Sequence, residues 1–266
     1  MQAYDHAARA TKGARDYQED SSAFWPPKDR AAGGADVPPT ANATRLVAVL
    51  ADGMGGHTAG ALASRMVCDS FISAYAGLNG SRSERLIRSL RSANESIAAQ
   101  VRANPTLSGM GTTLVAAVFT NEGVEWVSVG DSPLLLFRRG EIALLNEDHS
   151  LAPELDRLAE IGAITPEQAK ADPRRHMLRS AVTGDDLDLV DVSRRPLVLE
   201  EGDYVILASD GLQTLDTSEI QRIVSAYADD GAEAVANALI RAVEAIRDPH
   251  QDNTTVLAVR PLPESA

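Results

Sequence analysis

Two stretches of the chain, 46–51 (Leu-Val-Ala-Val-Leu-Ala) and 205–208 (Val-Ile-Leu-Ala), are apolar at every position. A strand with one wet face alternates apolar and polar residues, so an unbroken run demands cover on both faces. These are central strands, and the rest of the chain must supply the layers around them. Further strands are expected at 113–119, 124–129, 134–137, 141–145 and 254–259. Asn121-Glu122-Gly123 and Arg138-Arg139-Gly140 fall between paired runs, so hairpins and antiparallel pairing follow. Leu62, Met66, Val67, Phe71, Tyr75 and Leu78 make a helical stripe over about 58–78, and Leu86, Leu90, Ala93, Ile97 and Val101 a second over about 82–103. Ser81 with Glu84 fits a capping box for the second helix. Asp216 with Glu219 fits another for a late helix, with Leu215 and Ile220 as a hydrophobic staple, and Val235, Leu239, Val243 and Ile246 line a last one. Helices segregated on an antiparallel core mean an α+β fold and not a doubly wound one.

Two regions stand apart. Residues 26–44 carry Pro26, Pro27, Gly33, Gly34, Pro38 and Pro39 and read as a mobile loop between two strands. Residues 148–196 are polar, with short helical pieces around 152–160 and 165–171, and read as an inserted flap in one domain over 1–266. At 266 residues a core needs no staples. The single cysteine, Cys68, excludes an intrachain disulfide and a multi-thiolate zinc site, and reads as a small buried helix residue in a reducing compartment. A net charge of -13 argues against nucleic acid as a partner. No apolar run reaches the ~20 residues of a membrane span, and the first residues do not read as a signal peptide, so a cytoplasmic protein is expected.

The chemistry lies in where the aspartates fall. Asp52-Gly53 follows 46–51, Gly130-Asp131 follows 124–129, Asp210-Gly211 follows 205–209, Asp252-Asn253 precedes 254–259, and Asp20 stands beside Glu19 near the start. A single Asp-Gly after a strand is usually only a turn. Carboxylates at the ends of several core strands can converge on one point, where they repel unless a cation holds them. Oxygen-only ligands favour Mg²⁺, Mn²⁺ or Ca²⁺ over zinc or copper.

Taken in order, Arg15-Asp16-Tyr17-Gln18-Glu19-Asp20, Asp52-Gly53-Met54-Gly55-Gly56-His57, Gly109-Met110-Gly111-Thr112-Thr113, Gly130-Asp131-Ser132, Asp148-His149-Ser150, Ser209-Asp210-Gly211 and Asp252-Asn253-Thr254-Thr255 resemble the metal-dependent protein Ser/Thr phosphatases of the PP2C (PPM) family, in their compact bacterial form. The resemblance implies a four-layer α-β-β-α sandwich of two antiparallel sheets flanked by helix pairs. It also implies a binuclear Mn²⁺/Mg²⁺ centre at one end. In that reading Asp52 bridges the ions, the Gly53 carbonyl binds one of them, and Asp210 and Asp252 complete the other's carboxylate set. Asp20 belongs with the metal-holding carboxylates and acts with Glu19 through metal-bound water, with Asn253 beside them. The two ions activate a water for in-line attack on phosphorus, with no covalent phosphoenzyme. Arg15 clamps the phosphate oxygens, and His57 protonates the leaving seryl or threonyl oxygen. Arg15 as a plain surface arginine and His57 as a helix cap are the blander alternatives.

The family pattern places a second aspartate two residues after Asp-Gly-Leu, where this chain has Thr214. A hydroxyl does not replace that charge, so Asp131 is expected to hold a third ion only weakly. Pro133 stands where arginine is usual. His149 is expected to support the loop before the flap, while His6, His176 and His250 carry no expected chemistry. Arg174-Arg175 either steer phosphorylated substrate or are simply solvated. The expected partners are phosphoproteins and a cognate Ser/Thr kinase, with the chain a monomer. A catalytically silent pseudophosphatase, and a hydrolase of small phosphate esters on the same fold, are the alternatives.

Overall fold

The computed structural model describes residues 2–26, 46–56 and 58–263. The expected loop at 26–44, past Pro26, and His57 lie outside the described residues. In chain order the elements are β1 (Tyr4–Thr11), β2 (Ser21–Trp25), β3 (Leu46–Ala51), β4 (Gly53–Met54), α1 (Thr58–Gly77) and α2 (Arg82–Ala103). There follow β5 (Gly111–Thr112), β6 (Leu114–Thr120), β7 (Gly123–Val129), β8 (Leu134–Arg138), β9 (Glu141–Leu144), α3 (Ala152–Glu160) and α4 (Pro166–Ala171). The last are β10 (Asp191–Val192), β11 (Tyr204–Ala208), a 3-10 turn (Asp210–Thr214), α5 (Thr217–Tyr227), α6 (Ala232–Ile246) and β12 (Thr254–Pro261). Among the described residues no helix is long and apolar enough to cross a membrane.

Two antiparallel five-stranded sheets form, in the orders β1-β12-β11-β8-β9 and β10-β7-β6-β3-β2. The unbroken apolar runs are explained by what covers each face. Along β3, Val47, Val49 and Ala51 pack under α1 and α2 with Val67, Phe71 and Leu90. The alternate residues Leu46, Ala48 and Leu50 face the other sheet. Along β11, Val205 and Leu207 meet them in that central layer, while Tyr204, Ile206 and Ala208 pack under α5 and α6 with Ile223, Val235 and Leu239. Each large aliphatic side chain buried this way contributes roughly 1.5–3 kcal/mol. The result is the expected four-layer α-β-β-α sandwich.

The local signals hold. Ser81 and Glu84 form a capping box at α2, and Asp216 and Glu219 form one at α5. Leu215 and Ile220 are buried in the same core. The β8–β9 hairpin turns through Arg139 (φ 53°) and Gly140 (φ 82°), the positive pair that a two-residue turn matched to sheet twist requires. Cys68 is buried and donates to the Ser21 carbonyl, and burial pushes its thiol up, out of any reactive range.

The sequence reading missed β1 as a strand, and β2 is the strand it implied, without bounds, before the loop at 26–44. Both are edge strands and mostly half-buried, and β1 carries Asp5, His6 and Arg9 where a core strand would be apolar. The helical pieces of the flap, α3 and α4, fall where expected. A backbone bridge between Thr112 and Val182 ties this segment to the body, and one between Ser150 and Leu178 closes it on itself.

Candidate active site

A cleft of about 550 Å³ opens where β3, the β7–β8 turn, β11 and the start of β12 end together. Its lining includes Arg15, Glu19, Asp52, Gly53, Asp131, Asp210, Asp252 and Asn253, drawn from every part of the sequence. Asp20 does not line it. That side chain sits behind the wall, 8% exposed, and accepts a 2.8 Å hydrogen bond from Ser209 Oγ.

Each strand end is gripped by its neighbours. The Asp52 N–H donates to Thr113 Oγ1 (3.0 Å), the Thr113 N–H to the Asp52 carbonyl (2.9 Å), and Thr112 Oγ1 to that same carbonyl (2.7 Å). Gly53 is required for space. A Cβ there would lie 2.3 Å from the Gly60 carbonyl oxygen and 2.6 Å from that of Glu19, both backbone atoms that cannot yield. Ser209 Oγ, besides its bond to Asp20, accepts from the Thr255 N–H at 2.9 Å and so links β11 to β12 under the site. Asn253 Oδ1 accepts from the Glu19 N–H (2.7 Å), and its amide donates to the carbonyls of Lys12 and Tyr17 (both 2.9 Å). One side chain thereby fastens the β1–β2 loop that carries Arg15. Arg15 itself donates to Asp252.

His149 Nδ1 accepts from the Gly130 N–H, and the His149 N–H donates to the Gly130 carbonyl, so the imidazole holds the turn that presents Asp131. Burial keeps its pKa below the usual value. This agrees with the supporting role expected for it.

The carboxylates act on one another. Asp52 is raised well above the carboxylate range, by burial first and then by Asp20, Asp210, Asp131 and Asp252. Burial, then Asp210 and Asp148, carry Asp131 to about 7. Asp20 reaches about 6 through burial and the charges of Asp210 and Asp252, against the hydrogen bonds of Thr255 and Ser209. Asp210 is raised by burial and Asp252, with His176 the leading counter-influence. Among the described residues no three acidic, imidazole or thiol side chains stand together as a ready ligand set. The side chains of Asp52, Asp131, Asp210 and Asp252 line one cleft with oxygen donors only, and burial and mutual repulsion make Asp52, Asp131 and Asp210 resist ionising. Such a set fits a hard divalent cation, which would remove both the repulsion and the cost of burial.

Two expectations need correction or refinement. His176, read as carrying no chemistry, lines the cleft. It lies in the irregular flap, where no periodicity or motif marks its direction. Arg174 and Arg175 are paired within the flap, with Asp172 and with Asp156; Arg174 stays largely exposed, as the solvated reading has it, and Arg175 does not. Thr214, in the place of the second aspartate, donates to Gln251 Oε1 at 2.7 Å, and Asp216 is spent on capping α5. Neither supplies a carboxylate beside Asp131.

The family model for Protein phosphatase 2C matches residues 39–245. The chain belongs to the protein phosphatase 2C family. The serine/threonine protein phosphatase PstP of Mycobacterium tuberculosis is 37% identical to it over 218 residues, covering 80% of this chain and 40% of the relative. The chain thus spans about two fifths of the length of that relative. Protein phosphatase PhpP of Streptococcus pneumoniae is 36% identical over 190 residues, covering 69% of this chain and 74% of PhpP. The catalytic domain of PstP, solved in complex with two manganese ions, superposes with a TM-score of 0.73 at 29% identity, over 98% of this chain and 100% of that one. Arg15, Asp20 and Asp252 fall outside the stretch matched by the protein phosphatase 2C model, and the superposition extends over nearly the whole chain.

Proposed function

We infer that this protein phosphatase 2C member removes phosphate from phosphoserine and phosphothreonine in proteins, using two Mn²⁺ or Mg²⁺ ions and no covalent phosphoenzyme. The observation that carries the reading is the cleft in which Asp52, Asp131, Asp210 and Asp252 repel one another beside an arginine. The manganese centre of the PstP catalytic domain supports the choice of ion.

In this reading Asp52 and the Gly53 carbonyl would hold the ions together with Asp210 and Asp252, and Glu19 would orient water at the cleft, with Asp20 behind its wall. When bound, the ions supply Lewis acidity that activates water against phosphorus and offsets the charge gathering on the phosphoryl oxygens. Arg15 turns its guanidinium from Asp252 to the phosphate, whose planar oxygen pairs it matches. Asn253 keeps Arg15 and Glu19 in place by pinning their loop to the start of β12. His57, next to the cleft-lining Gly56, gives its proton to the leaving oxygen. Asp131, which has no second carboxylate from position 214, holds at most a weak third ion. The substrates are phosphoproteins, and their phosphate comes from a Ser/Thr kinase. The whole chain acts as one phosphatase domain, with 148–196 as its flap.

The test is release of phosphate from a phosphothreonine peptide and from para-nitrophenyl phosphate with Mn²⁺, with Mg²⁺ and with EDTA. Turnover of both that needs the metal supports the reading. A folded sample that is inert with either metal overturns it.

A further inference from the structure

The flap delivers one imidazole to the carboxylate cleft. His176 lines it with Asp52, Asp131, Asp210 and Asp252, and its charge favours ionised Asp210. The chain on either side of it is tied down. Arg175 makes a two-pronged pair with Asp156, at 2.7 and 2.8 Å, and Arg174 is held by Asp172 at 2.8 Å. The Met177 carbonyl accepts from the Leu151 N–H at 3.0 Å, and Leu178 bridges to Ser150. Arg175 lines a separate cavity of about 540 Å³ with Lys170, Leu212 and Leu215. Adjacent residues of the flap therefore line different cavities, Arg175 the second one and His176 the carboxylate cleft, where its charge acts on Asp210.

The cleft is otherwise acidic. Among the described residues that line it, Arg15 and His176 are the side chains able to carry positive charge. Arg15 has a carboxylate partner in Asp252, whereas His176 makes no hydrogen bond to a described residue. A phosphate monoester entering here needs donors on more than one side, and Arg174 and Arg175, the arginines next to His176, are committed elsewhere.

We propose that His176 is a substrate-binding residue that donates an imidazole N–H to a phosphoryl oxygen from the flap side, opposite the Arg15 loop. The proposal rests on the phosphatase reading above. An imidazole keeps one N–H donor when neutral and has two when protonated, so the contact survives in either state. A hydrogen bond to a charged phosphate is stronger than a neutral one. Made equally to substrate and transition state, it acts on KM and leaves kcat alone.

The experiment compares the Mn²⁺-loaded wild type with His176→Ala and His176→Gln. It reads KM and kcat on a phosphothreonine peptide, the Kd of inorganic phosphate by calorimetry, and the Kd of Mn²⁺. In His176→Ala, KM and the phosphate Kd rise together by about tenfold, the size of one lost hydrogen bond to a charged group. In that variant kcat and the Mn²⁺ Kd stay within about twofold, as loss of uniform binding requires. His176→Gln, which keeps an N–H donor, recovers most of the loss. An unchanged phosphate Kd in His176→Ala overturns the proposal. So does a loss confined to kcat, or a matching loss of Mn²⁺ affinity, since the imidazole would then act on the leaving group or through the metal ligands. A wild type that binds phosphate but hydrolyses no phosphopeptide sinks the phosphatase reading instead, and the phosphate Kd still decides His176.

Discussion

Arg15 donates a hydrogen bond to Asp252 across 237 residues of sequence. The contact joins the β1–β2 loop to the turn before β12, so the proposed phosphate clamp and a proposed metal ligand hold each other. Both side chains are roughly half exposed, and an exposed pair contributes at most about 1 kcal/mol. The pair sets where Arg15 waits more than how stable the fold is.

Arg15→Ala is therefore expected to raise KM for a phosphopeptide by about tenfold or more, the loss of charge-assisted bonds to phosphate. The melting temperature moves by less than about 3 °C. Affinity for Mn²⁺ does not fall, because Asp252 loses a competitor. Steady-state kinetics and a calorimetric Mn²⁺ titration check this, and weaker metal binding at an unchanged KM would contradict it.

Asp210→Asn is expected to cut turnover by about a hundredfold or more, since the substituted amide is a poor partner for a hard cation. The same change removes one charge from a repelling cluster, so the metal-free variant melts above the metal-free wild type. Calorimetric scans in EDTA, with and without added Mn²⁺, read both effects. Full activity in the variant would remove Asp210 from the metal set.

The metal-free protein should lose stability as pH rises from about 4 to about 7. Asp20 and Asp131 have folded values of about 6 and about 7, above their ordinary value of 3.8. Between those limits the native state holds more protons than the unfolded one, so unfolding is favoured as pH climbs, and Asp52, raised well above its ordinary value, acts in the same sense. His149, held below its ordinary 6.5, works in the opposite sense near pH 6 as a single group against several carboxylates. Urea midpoints in EDTA at pH 5 and pH 7.5 measure the difference. Saturating Mn²⁺ should restore the midpoint at pH 7.5, because it binds the native state only.

Asn253→Ala breaks hydrogen bonds to Glu19, Lys12 and Tyr17 at once. Losing three hydrogen bonds to part-buried backbone groups costs about 1–3 kcal/mol, or several degrees of melting temperature. KM for phosphopeptide should rise as well, because Arg15 loses the frame that aims it. A drop in melting temperature with unaltered KM would confine Asn253 to a structural role.

How much of this was legible can be argued from particular residues. The capping pairs Ser81–Glu84 and Asp216–Glu219, the Arg139-Gly140 turn and the two unbroken apolar runs all state their structure within a few positions, and each is found as read. The aspartates at strand ends were visible because each sits against such a run. The strand β1 was not, because an edge strand that is half wet and carries Asp5 and Arg9 lacks the apolar signal that marks a core strand, and β2 was only implied by the loop that follows it. Glu19 and Asn253 were visible as neighbours of aspartates, but the loop-pinning task of Asn253 was not.

The sequence by itself determined the helices, the core strands and which of their faces must be covered. Periodicity, caps and turns act over a few residues, so they can be read along the chain. Only the tertiary structure decided which groups meet. Ser209 orients Asp20 across 189 residues and Arg15 meets Asp252 across 237, and nothing local encodes either pairing. The side of the flap on which His176 emerges depends on how Arg175 is caught by Asp156. The raised carboxylates follow from the same cause, since repulsion and burial exist only once distant strand ends have been packed into one low-dielectric cleft.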